Sequence, residues 1–81
     1  MNEREFMIDV AKVEELQMIN DTVVLDKIFV MAKSIIIQGG IVILARISKI
    51  GVAERFDEIS TEADLEIYKQ TVFKHLKLNK T

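Results

Sequence analysis

Between Thr22 and Gly40 the sequence TVVLDKIFVMAKSIIIQGG sets polar residues at Thr22, Asp26, Lys27, Lys33, Ser34 and Gln38. That spacing is helical, and it leaves Val24, Leu25, Ile28, Phe29, Met31, Ala32, Ile35 and Ile36 on the opposite face. Val23, Val30 and Ile37 interrupt the polar face once every seven residues, so a second apolar seam runs along the same helix. A small domain has few elements with which to cover two seams. Two readings follow: the helix is buried on all sides beneath a sheet and another helix, or the second seam meets a second copy or another protein. Asn20 or Asp21 supplies the N-cap, and Gly39 or Gly40 the left-handed residue that closes the helix. A rival reading makes Ser34 to Ile37 a strand and Gly39-Gly40 a hairpin turn, but the helical period continues through Ile35, Ile36 and Gln38 and favours the helix.

Elsewhere the period changes. Phe6, Ile8 and Val10 alternate with Glu5, Met7 and Asp9, which predicts a short N-terminal strand. Val13, Leu16 and Ile19 lie at helical spacing within Lys12 to Ile19, which predicts a short helix. After the glycines, Ile41, Ile43, Ala45 and Ile47 share one face of a strand, with Val42, Leu44, Arg46 and Ser48 on the other. Both faces are apolar near the start, so something is expected to cover Val42 and Leu44 as well. Lys49, Ile50 and Gly51 form the turn into a more polar strand, Val52 to Ile59, as suits an edge. Ser60 or Thr61 caps a last helix whose buried face is Leu65, Tyr68, Val72 and Leu76, with Ile67 and Phe73, and which frays toward Leu78 to Thr81. The expected fold is α+β, in the order (β)ααββα: an antiparallel hairpin, with or without the N-terminal strand, packed on two main helices. No repeat or linker divides the chain, so residues 1–81 are expected to form one domain.

Composition pushes toward association. Of 81 residues 49% are hydrophobic and the mean hydropathy is +0.20, high for so small a chain with so much surface to hydrate; oligomerisation would resolve the mismatch. The longest uncharged run, Ser34 to Ala45, is too short to span a bilayer. MNEREF lacks the apolar stretch of a secretory signal, so a cytoplasmic location without membrane contact is expected. A net charge of -2 gives no whole-molecule attraction to nucleic acid. Acidic residues crowd Glu54 to Glu66 and basic ones Lys69 to Lys80, a placement that complements the dipole of the last helix.

Candidate chemistry is sparse. The chain has no cysteine and one histidine, and Ser34, Ser48 and Ser60 sit in no motif that activates a hydroxyl. His75 falls at the end of the last helix, a poor position for a rigid general base. Asp57 and Glu58 are adjacent in a strand and point to opposite faces, which argues against a paired-carboxylate site. The Gly39-Gly40 pair follows a helix and opens a strand, the reverse of a phosphate-binding loop. No cofactor, metal or catalytic residue is expected.

The stretches IIIQGGIVILAR, Gly51 and EADLEIYKQ, in their order of elements from Phe6 to Val72, resemble the prevent-host-death (Phd/YefM) type of antitoxin. The resemblance implies a dimer whose N-terminal part binds operator DNA while a C-terminal segment wraps a toxin. In this chain Arg4 and Lys12 would supply the nucleic-acid contacts. From the residues themselves the expected function is a non-catalytic homodimeric interaction module, its contact made by Val23, Val30 and Ile37 or by the face of Val42 and Leu44. An antitoxin-like DNA-binding regulator is the alternative.

Overall fold

A computed structural model describes residues 4–76. Six elements follow in order: β1 (Glu5–Asp9), α1 (Val10–Met18), α2 (Thr22–Ile37), β2 (Ile41–Ile47), β3 (Ala53–Ile59) and α3 (Glu62–Lys74). Three helices and a three-stranded mixed sheet make this a small α+β fold. The fraying expected at Leu78 to Thr81 lies outside the described residues.

Short polar side chains start each helix. Asp9, the last residue of β1, accepts from the Ala11 N–H at 3.1 Å and turns the strand directly into α1. The Asp21 carboxylate accepts from Val24 N–H at 3.1 Å to open α2, and the Thr61 hydroxyl accepts from Asp64 N–H at 3.1 Å to open α3. One device closes both α1 and α2. After α2, Gly39 (φ +93°) takes the left-handed conformation, its N–H donates to the Ile36 carbonyl and the Gly40 N–H to that of Ile35. After α1, Asn20 (φ 54°) stands in the same position and the Asp21 N–H reaches the Leu16 carbonyl at 3.0 Å. Ser34 to Ile37 are therefore helical, and the hairpin-turn reading of the glycine pair is excluded.

The sheet order is β1-β2-β3, with β1 parallel to β2 and β3 antiparallel to it. Two corrections to the expected architecture follow. The sheet is mixed, because the chain leaves β1, returns through α1 and α2 and re-enters the sheet in the same direction, as a parallel neighbour requires. Three helices rather than two build the core, since α1 contributes buried Val13 and Leu16 and the Gln17 side chain donates to the Val72 carbonyl of α3 at 2.9 Å. These helices meet Val42 and Leu44 of β2, together with Ile8 and Ile59 from the neighbouring strands, in one apolar cluster. Ile43 and Ala45, on the other face of β2, are also buried but stand outside that cluster. On β3, Asp57 lies opposite Leu44 and Arg55 opposite Ala45, so Phe56 is the extra residue of a bulge.

Candidate functional site

Helix α2 presents two arcs. Leu25, Phe29, Ala32 and Ile36 are buried, and Phe29 holds the helix against α3 with its ring 5.6 Å from that of Tyr68 and 6.0 Å from that of Phe73, both tilted. Burial of that one arc fixes the rotation of the helix and turns the other outward. Val23, Val30 and Ile37 then stand in line on the solvent side, 65%, 61% and 61% exposed. The reading in which α2 is buried on all sides is thereby overturned. Met31 is exposed beside the line, and a shallow hollow is lined by Asp26, Lys27, Val30, Met31 and Ser34.

Charges flank the stripe unevenly. Along one side run Asp26 and Lys33, along the other Lys27 and Ser34. The Asp26 and Lys33 side adjoins α3, which runs antiparallel to α2: Phe73 shares a cleft with Thr22 and Val23, Lys69 lies 3.9 Å from Asp26, and Glu62 and Glu66 share a cleft with Val30 and Lys33. The Lys69 ammonium is also 6.0 Å from the Phe73 ring centre. Glu62, Glu66 and Lys69 were legible in the sequence only as parts of an acidic and a basic segment. Their spacing along α3 sets them on one line beside the stripe, a signal that charge counting alone overlooks.

Val42 and Leu44 require a correction as contact residues. Both are buried by the chain's own helices, because the β1-to-β2 crossover lays α1 and α2 on their face of the sheet. Of the five expected contact residues, Val23, Val30 and Ile37 remain available at the surface. Arg4 and Lys12 are not brought together. Arg4 immediately precedes β1, whereas Lys12 lies in the first turn of α1 beyond the strand's other end. Arg4 Nη1 donates to the Gln38 side chain, and Lys12 pairs with Glu15 at 3.4 Å.

The remaining polar chemistry is structural in geometry. Arg46 forks onto both carboxylate oxygens of Glu14, at 3.2 and 3.0 Å, joining β2 to α1. Those hydrogen bonds hold the Glu14 carboxyl below its ordinary range and raise the Arg46 guanidinium in turn. Burial pushes the Tyr68 phenol up, with a smaller contribution from the Glu14 charge. His75 Nδ1–H donates to the Thr71 carbonyl at 2.8 Å. Ser60 and His75 stand at opposite ends of the 13-residue helix α3, about 20 Å apart at helical rise, so no hydroxyl–imidazole pair forms there. Among the described residues no three His, Cys, Asp or Glu side chains converge as a metal would require, and no helix is long and apolar enough to cross a membrane.

Comparison with protein-family models, with curated proteins and with solved structures finds no match for this chain.

Proposed function

We propose that this protein is a small non-catalytic cytoplasmic interaction module that associates with a second copy of itself through α2. The observation that carries this reading is the stripe itself: three aliphatic side chains seven residues apart, each more than half exposed, on a helix whose opposite arc is locked into the core. Isolated exposed aliphatics are ordinary, but a line of three on a rigid helix repeats one of the two apolar positions of a heptad seam, with Asp26, Lys27, Lys33 and Ser34 flanking it in place of the other. Measurement of molar mass by light scattering across a concentration series tests the proposal. A mass of twice 9.3 kDa that falls on dilution supports it, and a monomer at every concentration removes it.

A DNA-binding regulator of the prevent-host-death type is the second reading. Its support is that the stretches carrying the resemblance form a helix closed by Gly39, a strand, a hairpin turned at Gly51 and a helix in which Tyr68 packs on Phe29. Such a regulator would retard a duplex from its own promoter at low salt and release it as salt rises. Mobility unchanged at low salt would exclude it.

A further inference from the structure

We infer that the two copies pair α2 against α2 in antiparallel orientation, with the two-fold axis passing beside Val30; this deepens the homodimer reading above and rests on it. The inference comes from the charges beside the stripe. An antiparallel two-fold brings each flank of one stripe against the same flank of the other, with the residue order reversed. Val30 then meets itself and Val23 meets Ile37 of the second copy. Asp26 meets Lys33 of the second copy, and Lys33 its Asp26, while Lys27 faces the uncharged Ser34.

Helix α3 follows the same operation. It lies on the Asp26 and Lys33 flank, with Lys69 beside Asp26 and Glu62 toward Lys33. Reversal sets Lys69 toward Glu62 of the second copy and Glu62 toward its Lys69. Asp26, Lys33, Glu62 and Lys69 are thus each met by an opposite charge, while Glu66, between Glu62 and Lys69 on the same line, approaches Glu66 of the second copy near the axis, the one like-charge approach of this arrangement. A parallel pair turns each flank against the opposite one. Asp26 would then meet Lys27, but Lys33 would face the uncharged Ser34, and the Glu62 and Lys69 side of one copy would face the Met31 side of the other instead of its own counterpart. The dipoles of two side-by-side helices also oppose usefully only in the antiparallel case. Individually such exposed pairs are weak, so the apolar stripe drives association and the charges choose its direction.

Engineered cysteines test the direction, because the chain contains none of its own. Val23, Val30 and Ile37 are exposed, so single substitutions there leave the core untouched. In the antiparallel pair position 23 of one copy lies about 21 Å from position 23 of the other, roughly three times the span of a disulfide, whereas position 23 of one copy comes into register with position 37 of the other. The expected result on mild oxidation is a disulfide dimer from Val30→Cys, none from Val23→Cys alone, and one from an equimolar mixture of Val23→Cys and Ile37→Cys. Ile67→Cys, exposed on α3, reports collisional background. Efficient self-linking of Val23→Cys together with Val30→Cys would overturn the antiparallel inference and leave the homodimer standing. Background-level linking of Val30→Cys with a monomeric mass for the unsubstituted protein would remove the homodimer itself. As an independent readout, Asp26→Lys should weaken dimerisation about tenfold, whereas Lys27→Gln, which faces only Ser34 in the antiparallel pair, should leave it nearly unchanged. No effect of Asp26→Lys, or an effect of Lys27→Gln as large as that of Asp26→Lys, would overturn the proposed charge pairing.

Discussion

Replacing Val30 by Asp separates folding from association, because the side chain is 61% exposed in the isolated chain. Valine and aspartate have similar helix propensities, and the new carboxylate would lie three residues from both Lys27 and Lys33 and four from Asp26. Each such pair contributes about 0.2–0.5 kcal/mol of either sign, so the net effect on the folded chain stays within about 0.5 kcal/mol. Association is another matter. Full burial of a valine side chain contributes about 1.5–3 kcal/mol, and some three-fifths of that surface is still open on each copy, so the pair forfeits about 2–4 kcal/mol before the two carboxylates repel. The dimer dissociation constant should therefore rise by about 30-fold to 1000-fold. Light scattering or sedimentation across a concentration series measures the constant, and circular dichroism checks that helix content is kept. An unchanged constant would refute the seam, and loss of helix content would refute the exposure on which the calculation rests.

Three other substitutions probe what holds the stripe in place. Phe29→Ala empties the aromatic junction of α2 with Tyr68 and Phe73 and should lower stability by about 3–5 kcal/mol, read as a shift of the urea midpoint. Against a total of about 4–12 kcal/mol for a chain of this size, that is a quarter or more of the stability, and toward the lower end much of the population would unfold. Gly40→Ala would set a Cβ 2.5 Å from the Arg4 carbonyl oxygen and 2.7 Å from Ile35 Cγ2, forcing β1 away from the end of α2; a loss of about 1–3 kcal/mol is expected, and wild-type stability would show that the contact yields freely. For the Glu14–Arg46 fork the folded carboxyl pKa is lowered, so its stabilisation is present above the ordinary value of 4.5 and is lost as pH falls through the lower folded one. Urea midpoints taken from pH 7 to pH 3 should fall less steeply below 4.5 in Arg46→Gln than in the unsubstituted chain, and identical slopes would contradict the pairing.

Local signals and the antiparallel β2–β3 hairpin are legible in the sequence and the parallel pairing of β1 is not, and the reason is visible in particular residues. The starts of α2 and α3 and the closure at Gly39 depend on side chains within a few positions of one another, and the sequence displays them directly. β2 was expected at Ile41 to Ser48 and runs Ile41–Ile47 for the same reason. The direction of β1 against β2 depends on where the chain travels between them, and no residue in EFMID encodes it. That Val42 and Leu44 need cover is legible in the sequence, but that the chain's own helices, rather than a partner, supply it is not. Ile41, Ile43, Ala45 and Ile47 form the more uniformly apolar row, whereas Arg46 and Ser48 follow Val42 and Leu44 on theirs. The helices nonetheless sit on the Val42 side, and Arg46 is accommodated there because Glu14 of α1 meets it.

The same contrast bears on which exposed apolar surface serves as the contact. Two clusters stand out: the α2 stripe, and the far end of the hairpin with Ile47, Ile50, Val52 and Phe56. β3 is exposed along nearly its whole length and forms a sheet edge, the ordinary template for adding another strand. Its bulge at Phe56 breaks the alternation that edge-to-edge pairing needs, placing Arg55 and Asp57 opposite neighbouring residues of β2 rather than two apart. The hairpin end also lies beyond the part of β2 that the helix cluster covers. Val23, Val30 and Ile37, by contrast, are held in line by four buried residues on the far arc of the same helix, so little freedom remains to be lost when a partner arrives. Rigidity and register, rather than exposed area alone, favour α2 as the contact and leave the hairpin as solvated edge.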